Sequence, residues 1–253
     1  MVPALSVRGL RKSFTRDLPI LKGVDLDVRP GELVAILGAN GSGKSTILRC
    51  ATRMIEPDSG TVTLAGRDIM AAKGSALRDL RRSAAMVFQQ IHLVRRRTAF
   101  ENVCYGALGR INGWRSLSYR VFPHDVTETA WRSLERVGLA DKAWQRADTL
   151  SGGQAQRVAI ARALCQQAEV ILADEPVSAL DPRAANTVLA LLADIARSDG
   201  LAVACVLHQP DLAKAYGDRI IGVAAGEVVF ERTPATIGDD EIAYLYHGEL
   251  DDD

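Results

Sequence analysis

The sequence predicts an α/β fold: a parallel-sheet core, an antiparallel β subdomain at its N-terminal side and an inserted helical subdomain. The first observation is three unbroken apolar runs, Leu33–Leu37, Val170–Ala173 and Ala202–Leu207, the pattern of strands buried on both faces of a parallel sheet. The second is alternation near the N-terminus. Val24, Leu26 and Val28 alternate with Asp25 and Asp27, and Val62 and Leu64 with Thr61 and Thr63, so these strands have one wet face. The third is the stretch from Ile91 to Leu150, polar and basic, with Trp114, Trp131 and helical pieces such as Glu128–Val137 but no buried-strand run.

The elements follow in order from these patterns. Residues 1–88 and 165–253 form the core with its β subdomain, and residues 89–164 form the helical subdomain within a single domain. Val188, Leu191, Leu192 and Ile195 share one face of a helix that begins at Pro182, a residue suited to a first helical turn. No internal repeat or sustained heptad pattern occurs, and the acidic tail Glu249–Asp253 reads as disordered.

Composition narrows the function. At 253 residues and 47% hydrophobic, core size is no obstacle. Lys+Arg and Asp+Glu balance at 31 each, so the chain lacks the global positive field that supports nonspecific binding to nucleic acid, and none is expected as a partner. Cys50, Cys104, Cys165 and Cys205 lie far apart without CxxC spacing, which points to free thiols in a reducing compartment. The charged N-terminus has no secretory signal, and no run of 18 apolar residues is free of charge. Any membrane role is therefore expected through a partner.

Directly after Leu33–Leu37 comes Gly38-Ala39-Asn40-Gly41-Ser42-Gly43-Lys44-Ser45-Thr46, followed by a helix expected over Ile47–Arg53. Strand, glycine loop and helix in this order make a phosphate-binding loop. Glycines 38, 41 and 43 let successive N–H groups approach an anion, Lys44 brings a positive charge on what reads as a surface loop, and Ser45 offers a hydroxyl to Mg²⁺. The run Val170-Ile171-Leu172-Ala173 ends in Asp174 and Glu175, at the carboxyl edge where α/β sheets bind ligands. Asp174 is placed to hold Mg²⁺ and Glu175 to act as general base toward water.

Leu150-Ser151-Gly152-Gly153-Gln154, followed by Ala155–Leu164, resembles the signature motif and helix of the ABC ATPase family. Physically, a serine and two glycines opening a helix make either a second anion-binding nest or a loop that simply caps the helix. The resemblance covers Leu5 to about Phe230. It implies the ABC ATPase fold, with ATP and Mg²⁺ as ligands and with the signature motif completing the site of the opposite subunit. It further implies that Gln89 senses Mg²⁺ and water, that Asp181 is a loop acid communicating across the dimer, that His208 is a switch histidine near the γ-phosphate, and that Phe14 stacks on adenine. Phe14 reads equally as a core residue.

With one ATPase unit and no membrane segment, the chain resembles the ATPase subunits of bacterial importers. That implies an ATP-bound homodimer at the cytoplasmic face of the membrane, integral-membrane permease subunits, and a periplasmic or lipid-anchored solute-binding protein. Gly113-Trp114-Arg115-Ser116-Leu117, Phe122-Pro123, Arg136–Lys142 and His208-Gln209-Pro210-Asp211-Leu212-Ala213 resemble the phosphonate-import subfamily. Phosphate, phosphite or amino-acid import, and a non-transport ABC ATPase, stay open. Arg95-Arg96-Arg97 reads as a solvated face or as a docking contact for an acidic surface.

Overall fold

The computed structural model describes residues 2–15, 18–111 and 121–247; the Gly113–Leu117 segment and the acidic tail lie outside these. The first sheet is antiparallel. Its strands β1 (Leu5–Thr15), β2 (Leu18–Val28), β4 (Ser59–Leu64) and β5 (Arg67–Asp68) run in the order β2-β1-β4-β5. Leu5, Val7 and Leu10 of β1 point inward with Val24, Leu26 and Val28 of β2, so the alternation seen in the sequence is that of a half-buried sheet.

The second sheet holds β3 (Leu33–Leu37), β6 (Ala84–Phe88), β7 (Val170–Asp174), β8 (Ala202–Val206), β9 (Arg219–Ala224) and β10 (Glu227–Arg232). Its order is β10-β9-β3-β8-β7-β6, parallel except for the antiparallel pair β9–β10. From β3 the chain crosses to the far edge at β6, returns inward through β7 and β8, and then passes to the other side of β3. The alternate residues of β3 explain its apolar run. Leu33, Ala35 and Leu37 enter one core cluster, and Val34 and Ile36 enter the other.

Eight helices surround the sheets among the described residues: α1 (Lys44–Ala51), α2 (Gly74–Arg81), α3 (Ala99–Cys104), α4 (His124–Arg136), α5 (Gly152–Cys165), α6 (Pro182–Asp199), α7 (Pro210–Tyr216) and α8 (Asp239–His247). Helix α1 begins at Lys44 rather than Ile47, because Gly43 adopts φ 105° and caps it. It ends before Arg53, whose φ of 51° is left-handed. Helices α3, α4 and α5 pack on one another, and their Phe100, Val103, Leu134 and Ile160 continue the core cluster beneath β3. A capping box joins Thr98 and Glu101 at the start of α3. Arg136 of α4 reaches α6, with Nη1 2.7 Å from Asp194 and Nε 3.1 Å from Asp199. All four cysteines are buried and unbridged.

Candidate functional site

The loop after β3 is shaped by close approach. A Cβ on Gly38 would stand 2.1 Å from the Val223 carbonyl oxygen and 2.7 Å from Ser42 Oγ, and one on Gly43 would stand 2.8 Å from Leu21 Cδ2. Ser42 Oγ is buried and has no hydrogen-bond partner. The Gly226 N–H donates to the Ser42 carbonyl at 3.2 Å, so the β9–β10 turn holds the loop from outside. Lys44 departs from the surface position expected of it: it is 4% exposed, and Nζ donates to the carbonyls of Gly38 and Ala39, both at 2.8 Å. The loop curls around the ammonium because its own carbonyls satisfy that charge. Burial pushes the Lys44 pKa down, and the carboxylates of Glu175 and Asp174 oppose this.

Beside the loop, Ser45 Oγ donates to Asp174 Oδ1 at 2.6 Å, and Arg49 Nη2 lies 3.4 Å from Asp174 Oδ2. Ser45 and Arg49 are four apart on α1 and so share a face. That spacing was a signal for Arg49 that the motif reading did not use. Phe88 pairs with Asp174 across β6 and β7, which carries the exposed Gln89 just past the same sheet edge. Glu175 has φ 52°, a conformation that costs energy in a non-glycine residue, and its Oε1 lies 2.7 Å from His208 Nε2. A carboxylate, an imidazole, an ammonium and a hydroxyl therefore converge where β3, β7 and β8 end.

A cleft of about 260 Å³ opens over the loop, lined by Phe14, Ile20, Asn40, Gly41, Gly43, Lys44, Ser45, Thr46 and Glu175. Phe14 is 57% exposed, which removes the core reading, and Lys12 Nζ sits 5.9 Å from its ring centroid. Lys12 is itself fixed by Asp58 at 2.9 Å. The pattern reading did not select Ile20 or Lys12, since neither belongs to a glycine or acid motif.

Ser151 to Gln154 and Asp181 lie elsewhere. Ser151 Oγ accepts from the Gln154 N–H at 3.3 Å and Gln154 Oε1 accepts from the Ser151 N–H at 2.9 Å, a capping box at the start of α5. Asp181 caps α6 by accepting from the Ala184 N–H at 2.9 Å. Gly152 and Gly153 admit α6 and the turn before it closely, since a Cβ would meet Leu180 Cδ2 at 3.2 Å and Ala184 Cβ at 3.0 Å. Ser151, Gly153, Gln154 and Asp181 line a second cleft of about 520 Å³ together with Arg157 and Arg183. No residue lines both clefts.

The ABC transporter family matches residues 21–178, which include both glycine motifs and the acid pair. The chain belongs to the ABC transporter family. It is similar to curated proteins named "Phosphonates import ATP-binding protein PhnC": 44% identical to that of Nitratidesulfovibrio vulgaris, over 97% of this chain and 92% of the relative, and 46% identical to that of Frankia casuarinae, over 96% of each. Among solved structures, cbiO1 from Clostridium perfringens, part of the transporter complex cbiONQ, matches with TM-score 0.83 at 26% identity, covering 97% and 96% of the two chains. A dimeric post-hydrolysis state of an ATP-binding cassette bound to ADP and Pi matches with TM-score 0.77 at 32% identity, covering 91% and 98%. The expected fold, with its β subdomain and helical insert, is thus that of an ABC cassette. Among the described residues, no helix of this ABC transporter chain is long and apolar enough to cross a membrane.

Proposed function

We propose that this chain is the ATP-hydrolysing subunit of a bacterial ABC importer for phosphonate or a related phosphorus oxyanion. It acts as a homodimer at the cytoplasmic face of integral-membrane permease subunits that receive solute from a separate binding protein. The curated relatives' names support the solute class. The observation that carries the chemistry is the 2.7 Å pair of Glu175 and His208 beside the Lys44 loop.

The ligands fit the residues. An unpartnered buried Ser42 hydroxyl and a Gly38 position with no room for a Cβ suit a loop that wraps polyphosphate. Phosphate oxygens entering the loop would replace the two carbonyls that now hold Lys44 Nζ, a stronger, charge-assisted pairing. Phe14 would stack on the base. Asp174 and Ser45, 2.6 Å apart, and Gln89 give an all-oxygen donor set suited to a hard cation. Among the described residues no group of three His, Cys, Asp or Glu side chains could hold a metal alone, so the nucleotide's own oxygens would complete the shell. Bound Mg²⁺ would neutralise charge on the β- and γ-phosphates.

Glu175 accepts a proton from the attacking water, and His208 orients both the carboxylate and the γ-phosphate. Lys44 and the loop N–H groups stabilise charge on the transferring phosphoryl group, so catalysis is mostly positioning and electrostatics. The Ser151–Gln154 nest of one copy closes on the phosphate loop of the other. That closing, relayed through the helical subdomain of residues 89–164, drives the permease.

The test uses Glu175→Gln, which keeps an acceptor for His208 but supplies no carboxylate base. It should bind ATP, hydrolyse it very slowly and run as a dimer in size-exclusion mass measurements with ATP and Mg²⁺. Adding Ser151→Arg, which puts bulk and charge into the nest, should return it to monomer. A double variant that dimerises as well as the single one refutes the two-subunit site.

A further inference from the structure

Beyond the motif residues, one hydroxyl reaches the centre of the proposed site from the far end of the chain. Helix α8 is anchored to the core by Leu245, which is 3% exposed, and by the ion pairs Lys214–Asp239 at 3.0 Å and Arg232–Glu241 at 2.8 Å. Its last turn brings Tyr246 against the main core cluster, where the phenol donates to the His208 carbonyl at 2.9 Å.

His208 needs such a hold. Strand β8 ends at Val206 and α7 begins at Pro210, so the histidine lies in a short link outside both ladders. Leu207 is still tied to the sheet through its N–H, which donates to the Ile36 carbonyl at 3.0 Å, and the next carbonyl along is the one Tyr246 holds. Rotation of that peptide would swing the imidazole away from Glu175, 2.7 Å from its Nε2. A phenol is already a donor at neutral pH, and burial pushes the Tyr246 pKa further up.

We propose that Tyr246 is a positioning residue for hydrolysis, its hydroxyl gripping the His208 backbone and so holding the histidine against Glu175. A C-terminal helix outside every nucleotide motif thereby contributes to the geometry of the reacting end of ATP.

The inference rests on the ATPase reading, so turnover by the wild-type full chain assembled with its permease is measured first. No hydrolysis by the wild type overturns both. With an active wild type, Tyr246→Phe keeps the ring and removes only the hydroxyl. It should lower kcat about three- to tenfold, the scale of one lost hydrogen bond, with KM for ATP within about twofold and thermal stability nearly unchanged. Tyr246→Leu, which also removes the ring, should match that kcat while lowering Tm. Wild-type kcat in Tyr246→Phe overturns the inference and leaves the ATPase reading standing. So does a fall in kcat/KM that comes wholly from KM.

Discussion

Replacing Gly38 by alanine sets the phosphate loop against a control with the same steric clash. The added Cβ would lie 2.1 Å from the Val223 backbone oxygen, and a Cβ on Gly106 would lie the same 2.1 Å from the Arg162 backbone oxygen on α5, so both substitutions force backbone apart. Overpacking of this kind costs about 1–3 kcal/mol. For a chain of this size that corresponds to a fall in Tm of roughly 2–12 °C. Gly38 also holds φ 154°, which alanine rarely adopts, so its stability loss should be the larger of the two, and only there should ligand binding suffer as well. At Gly38 the strand-to-loop junction moves, and with it the carbonyl that holds Lys44 Nζ and the Ser42 hydroxyl 2.7 Å away. Misplacing one charge-assisted contact costs about 1.5–3 kcal/mol, roughly ten- to 150-fold in Kd. Gly106 lies in the helical insert, outside the cleft over the loop. The assay is equilibrium titration with ATP and Mg²⁺ well below both melting temperatures. If Gly38→Ala binds as tightly as Gly106→Ala while both stay folded, the loop does not cradle phosphate in the way argued.

Phe14→Ala should weaken ATP binding by about 1–3 kcal/mol, with base–aromatic stacking as the scale, while Phe14→Tyr retains affinity. Because Phe14 is already 57% exposed, Tm should change little; a large fall in Tm with unchanged Kd counts against stacking. A strain of the source organism lacking this chain should fail to grow on a phosphonate as sole phosphorus source yet grow on phosphate. Equal growth of mutant and parent on phosphonate would move the solute to another class.

The sheet was legible because its strands carry their environment in their patterns. An unbroken run such as Leu33–Leu37 has a core on each side, and the pattern Val24, Leu26, Val28 has a core on one. The phosphate loop and acid pair were legible because their spacing along the chain is their geometry. What could not be read depends on contacts between distant segments. Lys44 looks like a surface lysine until the loop carbonyls of Gly38 and Ala39 turn toward it. The left-handed backbone of Glu175 has no signal in its residue type. Tyr246 meets His208 across 38 residues, through a helix whose sequence names no ligand. The Ser151 motif reads both as a helix cap and as an anion nest, and the structure makes the cap while leaving Gly153 at a cleft.

That second cleft supports a shared site by its electrostatics. Helices α5 and α6 both begin there, each directing the positive end of its dipole and its first-turn N–H groups toward the opening. The capping box satisfies the N–H groups of Ser151 and Gln154, and no side chain caps those of Gly152 and Gly153. Arg157 and Arg183 add two guanidinium groups to the rim, against the single carboxylate of Asp181, which the Ala184 N–H already engages. Such a surface favours an anion. The phosphate loop of the same chain lines a different cleft and carries its own lysine, so it is not the source of that anion. In the proposed dimer, a second copy presenting ATP on its own Lys44 loop would supply the missing charge. Two half-sites would then become two closed ones only when both chains and both nucleotides are present. On this reading the closing force is electrostatic complementarity that neither chain can satisfy alone, and hydrolysis, by splitting the anion that bridges them, is what releases it.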